Sequence, residues 1–140
     1  MEIISVNNDN YNIVLNFLVS IASIKDIDEE VVKKASIIKN NDDIIGVLSY
    51  EKFGYVALIR YFVFKKVVSE EIINDLLDEI IKKAKREDIK ILVTLVVKQE
   101  IIDVFKNLGF KVIEKQSMFL DEVCLLDTKF KDSIVLKYDI

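Results

Sequence analysis

The chain has 140 residues, 20 Lys and Arg against 24 Asp and Glu, a formal charge of −4, and no His, no Pro, one Cys and three Gly. It is 51% hydrophobic, which suits one domain with a sizeable core and excludes a disordered chain. Without His there is no Ser-His-Asp or Cys-His catalysis and no His-ligated zinc, and a single Cys builds neither a disulfide framework nor a Cys-cluster metal site.

The elements follow in chain order. Glu2 to Val6 reads as a short strand. Asn7-Asn8-Asp9 offers helix caps, and Tyr11, Val14, Leu15, Leu18, Ile21 and Ala22 follow at helical spacing. Asp26 or Asp28 caps a second, short helix carrying Val31 and Val32. The period then changes. Ser36 to Lys39 is a strand, Asn40-Asn41-Asp42-Asp43 a turn, Ile44 to Tyr50 a strand, Lys52-Phe53-Gly54 a tight turn, and Tyr55 to Phe64 a long strand. Ser69 to Arg86 is an amphipathic helix with Ile72, Ile73, Leu76, Leu77, Ile80, Ile81 and Ala84 on one stripe. Ser69 is its N-cap, and Glu70 and Glu71 suit the positive end of its dipole.

Ile89 to Val97 reads as a strand covered on both faces, and Gln99 to Leu108 as a helix stopped by Gly109. Phe110 to Lys115 is a strand. Gln116 to Lys131 gives no firm pattern, although Met118 to Leu126 has strand character. Ser133 to Ile140 alternates, with Ile134, Leu136, Tyr138 and Ile140 on one face. The order β-α-α-β-β-β-α-β-α-β-β is that of an α/β fold, with a mixed, mostly antiparallel sheet and helices on both faces. No linker or repeat interrupts it, so a single domain over residues 1–140 is expected.

The acidic balance argues against a nucleic-acid partner. No apolar run approaches the roughly 18 residues of a membrane span. Met1 to Ser5 shows neither a basic region nor a cleavage site, so a cytoplasmic protein is expected, with Cys124 a buried, inert thiol. The Asp42-Asp43 and Asp26/Asp28 pairs read as caps and turns, and no metal is expected.

Several segments together resemble the GNAT superfamily of acyl-CoA-dependent N-acyltransferases. The resemblance covers nearly the whole chain and is best from Ile44 to Phe110. Val63 in Tyr61-Phe62-Val63-Phe64 matches the family's strand-end Val, and Leu76-Leu77 the Leu-Leu of the following helix. Phe105-Lys106-Asn107-Leu108-Gly109-Phe110 looks like its Tyr-x-x-Leu-Gly-Phe segment, and Asp132 to Lys137 its closing strand. The resemblance implies acetyl-CoA as co-substrate and direct attack of an amine, on a small molecule or a peptide, on the thioester. It places the cofactor against Val63, Lys65, Lys66, Val68, Ser69 and Lys98, with the pantetheine arm on the strand end and the pyrophosphate on the amides near Ser69.

The chain departs from the family pattern at these same places. In the family's R-x-x-G-x-G/A loop the Arg falls at Val68 and the two small residues at Glu71 and Ile73. A carboxylate there repels a phosphate by on the order of 1–4 kcal/mol at a few Å. Lys65 and Lys66 can compensate, or stand as solvated loop lysines. The family Asn falls at Lys98, and the Tyr that serves as general acid falls at Phe105, which has no proton to give.

Two polar residues are candidates for catalysis. Glu51 at a hairpin end is a candidate base, and Tyr61 lies where the resemblance puts the acyl group. Alternation along the strand turns Arg60 to the face opposite Tyr61, where it receives an acidic substrate group or pairs with a surface carboxylate. Met118, Phe119, Val123, Leu125 and Leu126 form an apolar surface for a second copy of the chain, making a homodimer, or else a buried strand. The alternative to an acyltransferase is a non-catalytic GNAT-like module, with Glu70 and Glu71 filling the anion site.

Overall fold

The computed structural model describes residues 1–96, 98–114, 119–120, 123–124 and 134–140. It contains β1 (Glu2–Ser5), α1 (Tyr11–Ala22), α2 (Glu29–Lys33), β2 (Ser36–Asn40), β3 (Asp43–Phe53), β4 (Val56–Phe64) and α3 (Glu70–Arg86). These are followed by β5 (Ile91–Val96), α4 (Gln99–Asn107), β6 (Lys111–Ile113), β7 (Phe119–Leu120), β8 (Val123–Cys124) and β9 (Ile134–Asp139). Seven strands form one mostly antiparallel sheet in the order β1-β2-β3-β4-β5-β9-β6, and β7 and β8 pair separately. The predicted order is therefore met. The strand character around Met118 to Leu126 resolves into a hairpin registered Phe119↔Cys124 and Leu120↔Val123. The apolar surface drawn over Met118 to Leu126, and the burial of Cys124, lie outside the described side chains.

Packing divides the chain into two compact units. One joins Met1–Glu51 to Arg60–Lys83, and the other joins Lys52–Ile59 to Ala84–Ile140.

In the first unit, β1 and β2 pair antiparallel from Glu2↔Lys39 to Ser5↔Ser36, and β2 pairs with β3 through a register shift at Ile38/Lys39. Val14, Phe17 and Leu18 of α1 pack with Val32, Ala35, Ile37, Ile44 and Val47, fulfilling the helical spacing read from the sequence. The cap of α2 is Asp28, whose carboxylate accepts from the Glu30 and Val31 N–H groups. At α1 the cap position falls to Asn10, one residue beyond the predicted triplet. Leu76, Leu77 and Ile80 of α3 are buried, as its stripe requires. The Lys83 ammonium donates to the Lys34 and Ala35 carbonyls at the end of α2.

In the second unit, β4 and β5 run parallel from Val56↔Ile91 to Leu58↔Val93. A parallel pair needs a long crossover, which α3 supplies. β9 lies between β5 and β6, antiparallel to both. Both faces of this strand are covered, as its central position requires: Val135 joins a core with Leu58 and Val93 and Leu136 is also buried, while Ile134 at the strand's start is exposed. α4 ends as Leu-Gly-Phe predicts. Gly109 takes φ 104°, and the Phe110 N–H reaches back to the Phe105 carbonyl at 3.0 Å. Phe105, 1% exposed, then meets the Phe110 ring edge-on at 5.1 Å, and Phe110 meets Tyr138 at 5.4 Å. Phe105 is thus a core residue.

Candidate functional site

The site expected from the sequence centres on the corner where β4 ends and α3 begins, which lies in the first unit. Its geometry starts at Tyr61, which has φ 56° in the middle of β4. A non-glycine residue rarely adopts this left-handed conformation, and one inside a strand interrupts the in-out alternation of side chains. That overturns the expected opposition of Arg60 and Tyr61. The Arg60 guanidinium lies over the Tyr61 ring, 5.1 Å from its centre, and also forms an ion pair with Glu51. Of the two roles open to Arg60, the structure shows the carboxylate pair.

Tyr61 is held at its other end too. Its ring packs on the first unit's core, and its hydroxyl oxygen accepts the Asp28 N–H at 2.9 Å. The hydroxyl's own proton remains available for donation. Glu51, the candidate base, has Oε1 engaged by Arg60. Glu51 and Tyr61 are therefore joined through Arg60, which touches both.

Past Tyr61, the Lys65 N–H donates to the Ile45 carbonyl at 2.8 Å and carries the backbone along β3 to the corner. Gly46 makes the turn-off of Phe64 feasible. A Cβ on Gly46 would stand 2.5 Å from Phe64 Cδ1 and 3.4 Å from the Val63 carbonyl oxygen. The glycine that matters at this corner therefore comes from the neighbouring strand, not from the loop. Val63 and Val68 are half-buried, whereas Lys66 is exposed and Val67 is 97% exposed.

The Lys65 side chain meets both oxygens of Asp43 at 2.9 Å. Sequence reasoning read Asp43 only as part of a turn. Its distance of 22 positions from Lys65 left no local signal of the pairing, which depends on β3 and β4 starting and ending at the same corner.

α3 opens as predicted. Ser69 Oγ accepts the Ile72 N–H at 3.3 Å, and the Ser69 carbonyl accepts the Ile73 N–H at 3.2 Å. The first-turn amides have no acceptor inside their own helix, which makes this end a place for an anion. Glu70 and Glu71 stand exposed on that turn. Ile73 is buried and belongs to the core stripe, so its bulk faces away from solvent. Lys98 belongs to the second unit. Its carbonyl accepts the Ile101 and Ile102 N–H groups at the start of α4, and its side chain is exposed. Among the described residues, no group of three His, Cys, Asp or Glu side chains is placed to hold a metal, and no helix is long and apolar enough to cross a membrane.

The chain is similar to known proteins in sequence profile and in fold. The family profile described as an acetyltransferase (GNAT) domain matches residues 21–122, well over half of the chain and through both units. An acetyltransferase from Streptococcus agalactiae superposes with a TM-score of 0.69 at 15% identity, over 99% of this chain and 98% of that one. The Rv2747 protein from Mycobacterium tuberculosis, solved in complex with CoA, gives a TM-score of 0.73 at 11% identity over 100% and 99% of the chains. N-acetylglutamate synthase from Neisseria gonorrhoeae, solved with coenzyme A and N-acetyl-glutamate, gives 0.70 at 17% identity, over 99% of this chain and 34% of that one. No curated protein matches the sequence.

Proposed function

This chain belongs to the GNAT acetyltransferase family, and from that premise we propose that it transfers an acetyl group from acetyl-CoA to an amine. The observation that carries the reading is the capped start of α3, five residues after the end of β4, with its first turn open to an anion. In this reading the amides after Ser69 receive the pyrophosphate, assisted by Lys66 and by Lys65 when it leaves Asp43. The main chain at Val63 holds the pantetheine arm, and Val68 lies under it.

The chemistry asked of the protein is modest. The amine nitrogen attacks the thioester carbon, the C–N bond forms, the C–S bond breaks, and the ammonium loses a proton as the thiolate gains one. The Tyr61 phenol supplies a proton or a hydrogen bond on β4, a role that Phe105 cannot take. Glu51 takes part by fixing Arg60, which in turn lies over the Tyr61 ring.

A second reading has an observation of its own. Asp43 occupies Lys65, and Glu70 and Glu71 stand where phosphates would approach. A non-catalytic module of the same fold would carry these features unchanged. Calorimetric titration with acetyl-CoA separates the two. Saturable binding together with CoA release in the presence of an amine supports the transferase, and absence of heat at millimolar acetyl-CoA rejects it.

A further inference from the structure

α2 is too short to hold itself. It has five residues, Glu29–Lys33, and buries Val31 and Val32, whereas an isolated helix shorter than about 12 residues is marginal in water. Side chains from three other elements of the first unit pin it instead. The Tyr61 hydroxyl oxygen on β4 accepts the Asp28 N–H at its start, and Ser49 Oγ on β3 donates to the Val31 carbonyl. The Lys83 ammonium on α3 donates to the Lys34 and Ala35 carbonyls past its end, at 3.1 and 2.9 Å.

The Asp28 cap makes the first of these contacts directional. Its backbone is extended, at φ −87° and ψ 106°. Its Oδ1 accepts the Glu30 and Val31 N–H groups at 3.1 and 3.4 Å, and its carbonyl accepts the Val32 N–H at 3.1 Å. Side chain and carbonyl are both tied into α2, and the remaining N–H is aimed at Tyr61. That N–H takes one lone pair of the phenol oxygen and so turns the phenol proton toward other directions. Tyr61 needs such a hold, because a left-handed φ of 56° persists only where the surroundings fix it. Arg60 fixes the face of its ring, and Asp28 fixes its oxygen. Tyr11 packs on the same core, yet its buried hydroxyl has no hydrogen-bond partner among the described residues, so the hold on Tyr61 is specific to that phenol.

We propose that Asp28 is the positioning residue for the Tyr61 phenol, with Lys83 locking the far end of α2. The inference rests on the acetyl-transfer reading, in which that phenol gives a proton or a hydrogen bond as the C–S bond breaks. Loss of the cap frays the start of α2, turns the Asp28 N–H away and frees the phenol oxygen to move out of line. The main chain at Val63 and the amides after Ser69 are untouched, so the hold on acetyl-CoA is unchanged.

The test has two arms. In the first, the ligand-free chain labelled with ¹⁵N and with ¹³C at tyrosine Cζ is followed by NMR. The Tyr61 Cζ resonance is expected to move in Asp28→Ala and in Lys83→Met. It returns to its wild-type place in Asp28→Asn, because an amide caps a helix about as well as a carboxylate. In the second arm, CoA release is measured with acetyl-CoA and a pool of the amino acids, spermidine and a short peptide. Asp28→Ala lowers kcat about 10- to 100-fold with KM for acetyl-CoA within about twofold of wild type, and Asp28→Asn restores it. In a Tyr61→Phe background Asp28→Ala costs nothing further, whereas a cap with a structural role alone would cost the same in both backgrounds. Lys83→Met, which leaves Asp28 and Tyr61 in place, shifts kcat in the same direction and serves if Asp28→Ala does not fold. A folded Asp28→Ala variant with the wild-type Tyr61 resonance overturns the proposal, as does wild-type kcat in it, or a loss that persists without the Tyr61 hydroxyl. Wild type that releases no CoA with any of these amines rejects the transferase reading instead, and the NMR arm then decides the proposal alone.

Discussion

Replacing Asp43 with Asn tests the corner's electrostatics where they are most specific to this chain. In the free protein Lys65 holds both oxygens of Asp43 at 2.9 Å, so a phosphate must compete for that ammonium. The two side chains are 41% and 58% exposed, and an ion pair this open is worth about 0.2–1 kcal/mol. Asn releases Lys65 and also removes a like charge from the neighbourhood of the phosphates, which adds up to about 1 kcal/mol near 4 Å in water and less with distance and salt. Together the terms tighten CoA binding roughly two- to tenfold, with the gain shrinking as ionic strength rises. The assay is calorimetric titration with CoA at two salt concentrations, in wild type, Asp43→Asn, Lys65→Gln and the double variant. Lys65→Gln should bind more weakly than wild type, and most of the Asp43→Asn gain should vanish in its background. Unchanged or weaker CoA binding in a folded Asp43→Asn variant would refute the reasoning. So would a gain that persists without Lys65.

Other expectations follow from the same geometry. Gly46→Ala puts a methyl group into the Phe64 ring and costs about 1–3 kcal/mol in urea unfolding, with partial rescue by Phe64→Leu. Tyr61→Phe leaves the Asp28 N–H without its acceptor, lowers stability by about 0.5–1.5 kcal/mol and reduces amine-dependent CoA release. Rescue of turnover in that variant would mean the phenol plays no part in the chemistry. The Tyr11 pKa is raised on folding, so its contribution to stability is complete below pH 10 and is lost as pH climbs through the folded value. Thermal melts from pH 8 to 11 should therefore fall more steeply for wild type than for Tyr11→Phe.

The sequence disclosed the elements that have strong period or strong punctuation. The apolar stripe of α3, its Ser69 cap, the Leu-Gly-Phe stop of α4 and the hairpin run of β2 to β4 were all legible. What it hid were relations across the fold. Nothing local marks Tyr61 as left-handed, because Tyr is a residue that ordinarily favours extended strand. Alternation therefore gave a wrong direction for Arg60 one position earlier. Gly46 looked like a plain strand glycine until Phe64 was placed against it. Asp43 and Lys65 meet only because β3 begins where β4 ends. The burial of Tyr11 depends on packing between α1 and the core, and spacing alone does not show that its hydroxyl lacks a partner. The family resemblance told where to look, and the departures from it, at Val68, Glu71, Lys98 and Phe105, were visible residue by residue.

The central claim is that the start of α3 receives the pyrophosphate of acetyl-CoA, and backbone amide NMR reads it directly. Titration of the ¹⁵N-labelled chain with acetyl-CoA should shift the Glu70, Glu71 and Ile72 amides most, with Val63 and Lys65 following. Absence of shifts at saturating acetyl-CoA, or shifts confined to residues away from the β4–α3 corner, would contradict the account.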